Sequence, residues 1–158
     1  MIAAMPDGPR YDDDFYAWTK YQADVLRTLR TDDNRFDRDN VVEEIEDLGK
    51  SYRDAVRSQV RRILEHLLKL SHSPATDPRP DWMTSVAEAR DSLKDQLTPT
   101  LRRDLETMLE RFYRDARRRA VLGLARYGEK DAAGALPETC PYTLDDILRD
   151  DWYPESPK

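Results

Sequence analysis

Apolar positions recur at steps of three and four residues along most of the chain, the spacing of an α-helix that buries one face. Phe15, Trp18, Gln22, Val25 and Leu29 form the first such stripe, widened by Leu26. It predicts a helix from about Asp13 to Arg30, entered through Asp12 to Asp14 and ended by Thr31-Asp32-Asp33-Asn34. The longest stripe follows: Val41, Ile45, Leu48, Tyr52, Ala55 with Val56, Gln59 with Val60, Ile63, Leu67 and Leu70. It predicts one helix from Asp37 or Asp39 to Leu70, capped by either aspartate or by Asn40 with Glu43. A run of ~33 residues spans ~50 Å. Gly49 lies inside it, a position for close packing or a bend.

The stretch from Ser71 to Asp81 holds three prolines and breaks the pattern. Trp82, Val86, Ala89, Leu93 and Leu97 then mark a third helix, with Asp81 as its expected cap. Thr98 suits an N-cap and Pro99 the first position of a fourth helix. That helix carries Leu101, Leu105, Met108, Leu109, Phe112, Ala116, Ala120 and Leu124 and should stop near Tyr127-Gly128. Asp131 to Gly134 reads as a small-residue linker. Thr143 opens a short helix over Leu144 to Leu148 with a capping-box pattern.

These elements predict an all-α fold: an antiparallel four-helix bundle-like domain with a very long second helix. The short fifth helix belongs to a C-terminal segment, 137–158, whose Leu136, Tyr142, Leu144, Ile147, Leu148 and Trp152 are too apolar for a free tail. Residues 1–10 read as a flexible N-terminus and 11–158 as a single helical domain. The expected core is Phe15, Trp18, Val25, Ile45, Leu48, Tyr52, Val56, Ile63, Leu67, Trp82, Val86, Leu93, Leu105, Phe112 and Leu124.

Charge modifies this picture. Of the 158 residues, 37% are charged and the net charge is −6, which argues against a generic nucleic-acid binder. The single cysteine, Cys140, excludes an internal disulfide and fits a cytoplasmic location. No window approaches the ~18 apolar residues of a membrane span, and the first residues lack the apolar core of a signal peptide.

Three features invite a chemical reading. Glu43, Glu44, Glu46 and Asp47 crowd the head of helix two, as a metal or acid/base pair requires. Facing Glu-x-x-His motifs are missing, however, and pairing with arginines such as Arg90 or Arg117 accounts for these acids. His66 has only His72 as a fellow histidine and reads as structural. Arg53, Arg57 and Arg61 share a face, a stripe able to meet phosphates or an acidic partner; interspersed acids favour a solvated, ion-paired surface. Cys140 has no local activating base. Neither a P-loop nor a dinucleotide fingerprint is present, so no cofactor is implied.

The blocks YDDDFYAWTKYQADVLR, NVVEEIEDLGKSYRDAVRSQVRRILEHLLKL, FYRDARRRA and PETCPYTLDDILRDDWYPE, in this order, resemble the bacterial domain-of-unknown-function family 29. The resemblance implies a small all-helical bacterial protein and carries over no catalytic residue. It draws interest to Glu43, Glu44, Glu46, Asp47, Gly49, His66, Lys69, Tyr113, Arg117, Pro141 and Tyr142. The stretch EKDAAGAL departs from the family pattern. The expected function is a non-enzymatic protein-interaction module meeting another protein or a second copy. Two alternatives stand beside it: a nucleic-acid-associated regulatory or antitoxin-like component using the arginine stripe, and a metal or acid/base enzyme using the acidic head with His66.

Overall fold

A computed structural model describes residues 7–158, all helix and connection, with no strand among the described residues. The elements are α1 (Phe15–Thr28), α2 (Arg38–His72), α3 (Arg79–Gln96), α4 (Pro99–Arg126), α5 (Lys130–Gly134) and α6 (Leu144–Leu148). The expected flexible N-terminus lies mostly outside the described residues. The fold is all-α with a long second helix, as the apolar spacing predicts. One element is new: the small-residue linker closes into the single turn α5, around the buried Ala133.

Local chemistry sets most helix ends. Asp37 caps α2, accepting the Asn40 backbone N–H at 3.4 Å and its side-chain amide at 2.7 Å. Thr98 caps α4 through the Leu101 N–H, with Pro99 in the first turn. At its far end Gly128 takes φ +81°, and the Glu129 N–H reaches back to the Leu124 carbonyl, a left-handed C-terminal cap. Thr143 and Asp146 form a reciprocal capping box on α6. Asp81 is the correction: α3 begins at Arg79, three residues before the expected start, with Pro78 at the cap position, and Asp81 sits in its first turn.

The chain divides into two compact units. The first comprises the described residues up to Ala55 with Thr98–Arg103. Here α1 runs antiparallel to the start of α2, as the pairs Phe15 with Tyr52 and Arg27 with Glu46 require. Its buried side chains include Tyr16, Thr19, Ala23 and Val42. Two expected core residues are therefore misplaced: Val25 is 38% and Leu48 53% exposed, and Phe15, Trp18, Ile45 and Tyr52 are only half-buried. The helices meet one position round from the expected stripes because Gly49 admits α1. A Cβ on Gly49 would lie 2.3 Å from Thr19 Oγ1, so only glycine permits this approach.

The second unit comprises Val56–Leu97 with Asp104–Lys158. Ile63, Leu64, Leu67, Leu68 and Leu70 are fully buried, as are Val86, Leu105 and Ala116. Arg62 bonds Ser85 at 2.7 Å and Lys69 approaches Trp82, so α3 runs antiparallel to α2. Arg57 pairs with Asp104 and Arg61 with Asp115, so α4 runs parallel to it. The C-terminal segment folds back as expected, burying Leu136, Tyr142, Leu144 and Ile147. Expected core residue Trp82 is only half-buried.

Candidate functional site

The open side of the α1–α2 hairpin is built by two helices that each carry more apolar surface than the other can cover. In an α-helix successive residues turn by ~100°, so Val42, Gly49 and Val56 form one stripe of α2 and Val41, Leu48 and Ala55 the next. The first of these meets α1 within the unit, at Gly49 against Thr19. The second stands beside it with Val41 36% and Leu48 53% exposed. On the α1 side the corresponding positions are the half-buried Trp18, the exposed Val25 and, at the C-cap, the exposed Leu29. Because the helices are antiparallel, both open stripes fall on the same side. The tilted Phe15–Tyr52 ring contact, 5.0 Å between centroids, joins them at one end. Tyr11 extends that aromatic end, edge-on to Phe15 and Trp18.

Charge is segregated to the opposite side. Arg27 bonds both Asp24 and Glu46. Tyr16, Lys20, Asp24, Lys50 and Arg53 line a shallow groove there. Glu43, Glu46 and Asp47 of the acidic head line another, with Arg27, Arg38 and Lys50 among them. Asp47 pairs with Lys50 at 3.6 Å, while Glu43 and Glu44 are exposed. Glu46 and Asp47 thus find Arg27 and Lys50; the expected partners Arg90 and Arg117 are committed elsewhere.

His66 falls in the other unit from the acidic head. Burial, with Lys69 and Arg62 nearby, pushes its imidazole down to about 4, so it is neutral at pH 7. Its Nδ1 has no hydrogen-bond partner among the described residues. No group of three or more His, Cys, Asp and Glu side chains among the described residues is arranged to hold a metal ion. The arginine stripe is largely occupied. Arg57 makes a forked pair with Asp104 at 2.7 and 2.9 Å and lies over Phe112, as does Arg61, while Arg53 meets Asp54.

Two arginines have roles that sequence reasoning missed. Arg90, 2% exposed, donates to the carbonyls of Ile147, Trp152 and Asp146 at 2.9, 2.8 and 3.1 Å. Arg117 donates to Pro137 and Leu136 carbonyls, and Tyr113 donates its hydroxyl proton to Pro137 as well. Both clamp the C-terminal segment. Cys140 donates to the Tyr142 carbonyl at 3.3 Å, and burial pushes its thiol up to about 11, which suits a structural residue.

Comparison with known proteins places this arrangement among relatives. The domain of unknown function DUF29 matches residues 10–153. An alpha-helical protein of unknown function from Rhodospirillum rubrum ATCC 11170, known from a crystal structure, is 26% identical over 92% of each chain, with a TM-score of 0.80. No curated protein matches the chain.

Proposed function

The chain belongs to the DUF29 family, whose name assigns no activity, and we propose that this protein is a non-enzymatic interaction module that docks a second copy of itself through the open side of the α1–α2 hairpin. The observation that carries this reading is the second apolar stripe of α2. Its steps of four and three, from Val41 through Ile45 and Leu48 to Tyr52, are those of helices crossing at a shallow angle. Leu48, 53% exposed, and Val41, 36% exposed, are the least covered residues of that stripe, while Ile45 and Tyr52 are half-buried.

A second copy suits the face because the face is nearly without charge. Between Phe15 and Leu29 the open positions of α1 are aromatic, aliphatic or glutamine, and on α2 only Glu44 stands at the rim. A charged ligand finds no counter-charge, whereas an identical apolar face is self-complementary under a two-fold axis. Two hairpins joined this way make a four-helix layer. Of the acidic head, Glu46 and Asp47 lie on the charged side, where Arg27 and Lys50 pair with them.

Sedimentation velocity over a concentration series tests the proposal. A monomer–dimer shift is expected, retained at high salt because apolar burial drives it. Leu48→Glu and Val25→Glu should each keep the monomer fold, both sites being exposed, and abolish the dimer. A monomer at every concentration, or a dimer indifferent to both substitutions, would overturn it.

A further inference from the structure

The C-terminal end of α2, the proline loop after it, the start of α3 and the end of α4 enclose a cleft of ≈ 740 Å³, lined in part by Trp82, Tyr127 and Leu124. That volume is in the range of small-molecule sites. The cleft is held open by its own bonds. Ser73 donates to the Glu129 carboxylate and accepts the Ala75 N–H at 3.1 Å, and Arg79 donates to the Leu70 carbonyl at 2.8 Å. Gly128 turns the chain away at φ +81° and leaves Tyr127 81% exposed at the rim. An aromatic side chain so exposed gains nothing for the fold.

Lys69 decides what the cleft can hold. Its side chain is only 13% exposed. The ammonium carries three N–H donors; Glu65 accepts one at 3.1 Å and the group stands 5.9 Å from the centre of the Trp82 ring. Glu65 is its only hydrogen-bond acceptor among the described residues. Room for the ammonium is made by Gly123, where a Cβ would come within 3.0 Å of Nζ. Glu65 offsets the Lys69 charge, while Asp77 and Glu129 also line the cleft. An anion meets two carboxylates, and a cation offers the spare Lys69 donors no acceptor. A neutral acceptor meets neither penalty and uses the spare donors.

We propose that this cleft binds an uncharged aromatic molecule bearing a carbonyl or amide oxygen, its ring against Trp82 and Tyr127 and its oxygen on the Lys69 ammonium. The site is independent of the hairpin face, so either assignment can fail alone.

Titration of the full chain with benzamide, benzoate and benzylamine, followed by the tryptophan indole N–H resonances, tests it. Trp82→Phe assigns the relevant peak. Benzamide should shift Trp82 saturably, leave Trp18 and Trp152 unmoved, and bind at least tenfold more tightly than either charged analogue. Lys69→Met, which keeps the length and apolar stem but removes the donors, should weaken binding about tenfold. Tyr127→Ala alters a solvent-exposed ring and keeps the test decisive should Lys69→Met fail to fold; it should weaken binding several-fold. Absence of a saturable Trp82 shift, equal or tighter binding of a charged analogue, or undiminished binding by both variants would overturn the assignment.

Discussion

Asp14 and Thr100 stand 86 positions apart, and one carboxylate serves both their helices. Asp14 Oδ2 accepts the Thr100 backbone N–H at 2.8 Å, while Oδ1 accepts that of Ala17 at 2.9 Å. A single side chain thereby caps α1 and ties down the first turn of α4. Loss of a cap costs ~1 kcal/mol, and a charged hydrogen bond ~1.5–3 kcal/mol. Asp14→Ala should therefore destabilise the protein by about 2.5–4 kcal/mol in urea denaturation. Burial opposes the Asp14 charge, but the Ala17 and Thr100 bonds outweigh it and hold the carboxyl below its ordinary value. Its contribution is present above about pH 4 and is lost as the pH falls through the lowered folded value. The Ala variant should lack that acid sensitivity.

Gly49→Ala separates helix propensity from packing. On an exposed helix the change would add about 1 kcal/mol of stability. Here the new methyl meets Thr19, which is fully buried and bonded to the Tyr16 carbonyl at 2.7 Å. The expected result is a net loss of roughly 1–3 kcal/mol. Thr19→Ala in the same chain should recover part of it, measured as a double-mutant cycle. Additive effects would show that the two side chains do not compete.

His66 predicts a pH dependence in a different window. Its folded value is about 4 against an ordinary 6.5, because burial and the neighbouring Lys69 and Arg62 disfavour the cation. Between those values the unfolded chain binds the proton and the folded chain does not. Stability is full above about pH 6.5 and declines as the pH falls toward 4. Allowing for the partial exposure of the ring, the loss is on the order of 2 kcal/mol. Denaturation at pH 7 and pH 5 should show the decline in the native protein and a smaller one in His66→Gln. An equal decline in both would assign it to other groups.

Arg90→Lys should release the C-terminal segment. Lysine keeps the charge but cannot reach three carbonyls with a planar fork. The same substitution removes the stacking of the guanidinium near Tyr153, 5.4 Å from its ring centre. A destabilisation of about 2–4 kcal/mol is expected, with faster amide exchange from Leu144 to Tyr153. Unchanged exchange there would mean that the apolar contacts of Leu144 and Ile147 hold the segment without the clamp.

Short-range chemistry made much of this fold legible. Thr98-Pro99, Gly128 and the Thr143–Asp146 pair announce their helix ends because each acts within five residues along the chain. The apolar steps announce the helices, and the density of apolar residues after Leu136 announces a tail that packs. The candidate sites were less accessible. The acidic head and the arginine stripe drew notice by charge, yet charge density does not tell which carboxylate faces which guanidinium. Arg90 bonds to carbonyls, which every residue carries and no sequence pattern marks.

What the sequence determined by itself was every helix but α5 and the apolar stripes of α1 and α2. Tertiary structure alone decided which stripe is covered. Neighbouring stripes differ by one residue, and hydrophobicity ranks Val41, Ile45 and Leu48 above Val42, Gly49 and Arg53. Shape reverses that ranking: the missing side chain at Gly49 admits Thr19 and draws α1 onto the less apolar stripe. The more apolar one is left facing outward, and the same close approach that positions the hairpin creates its open face.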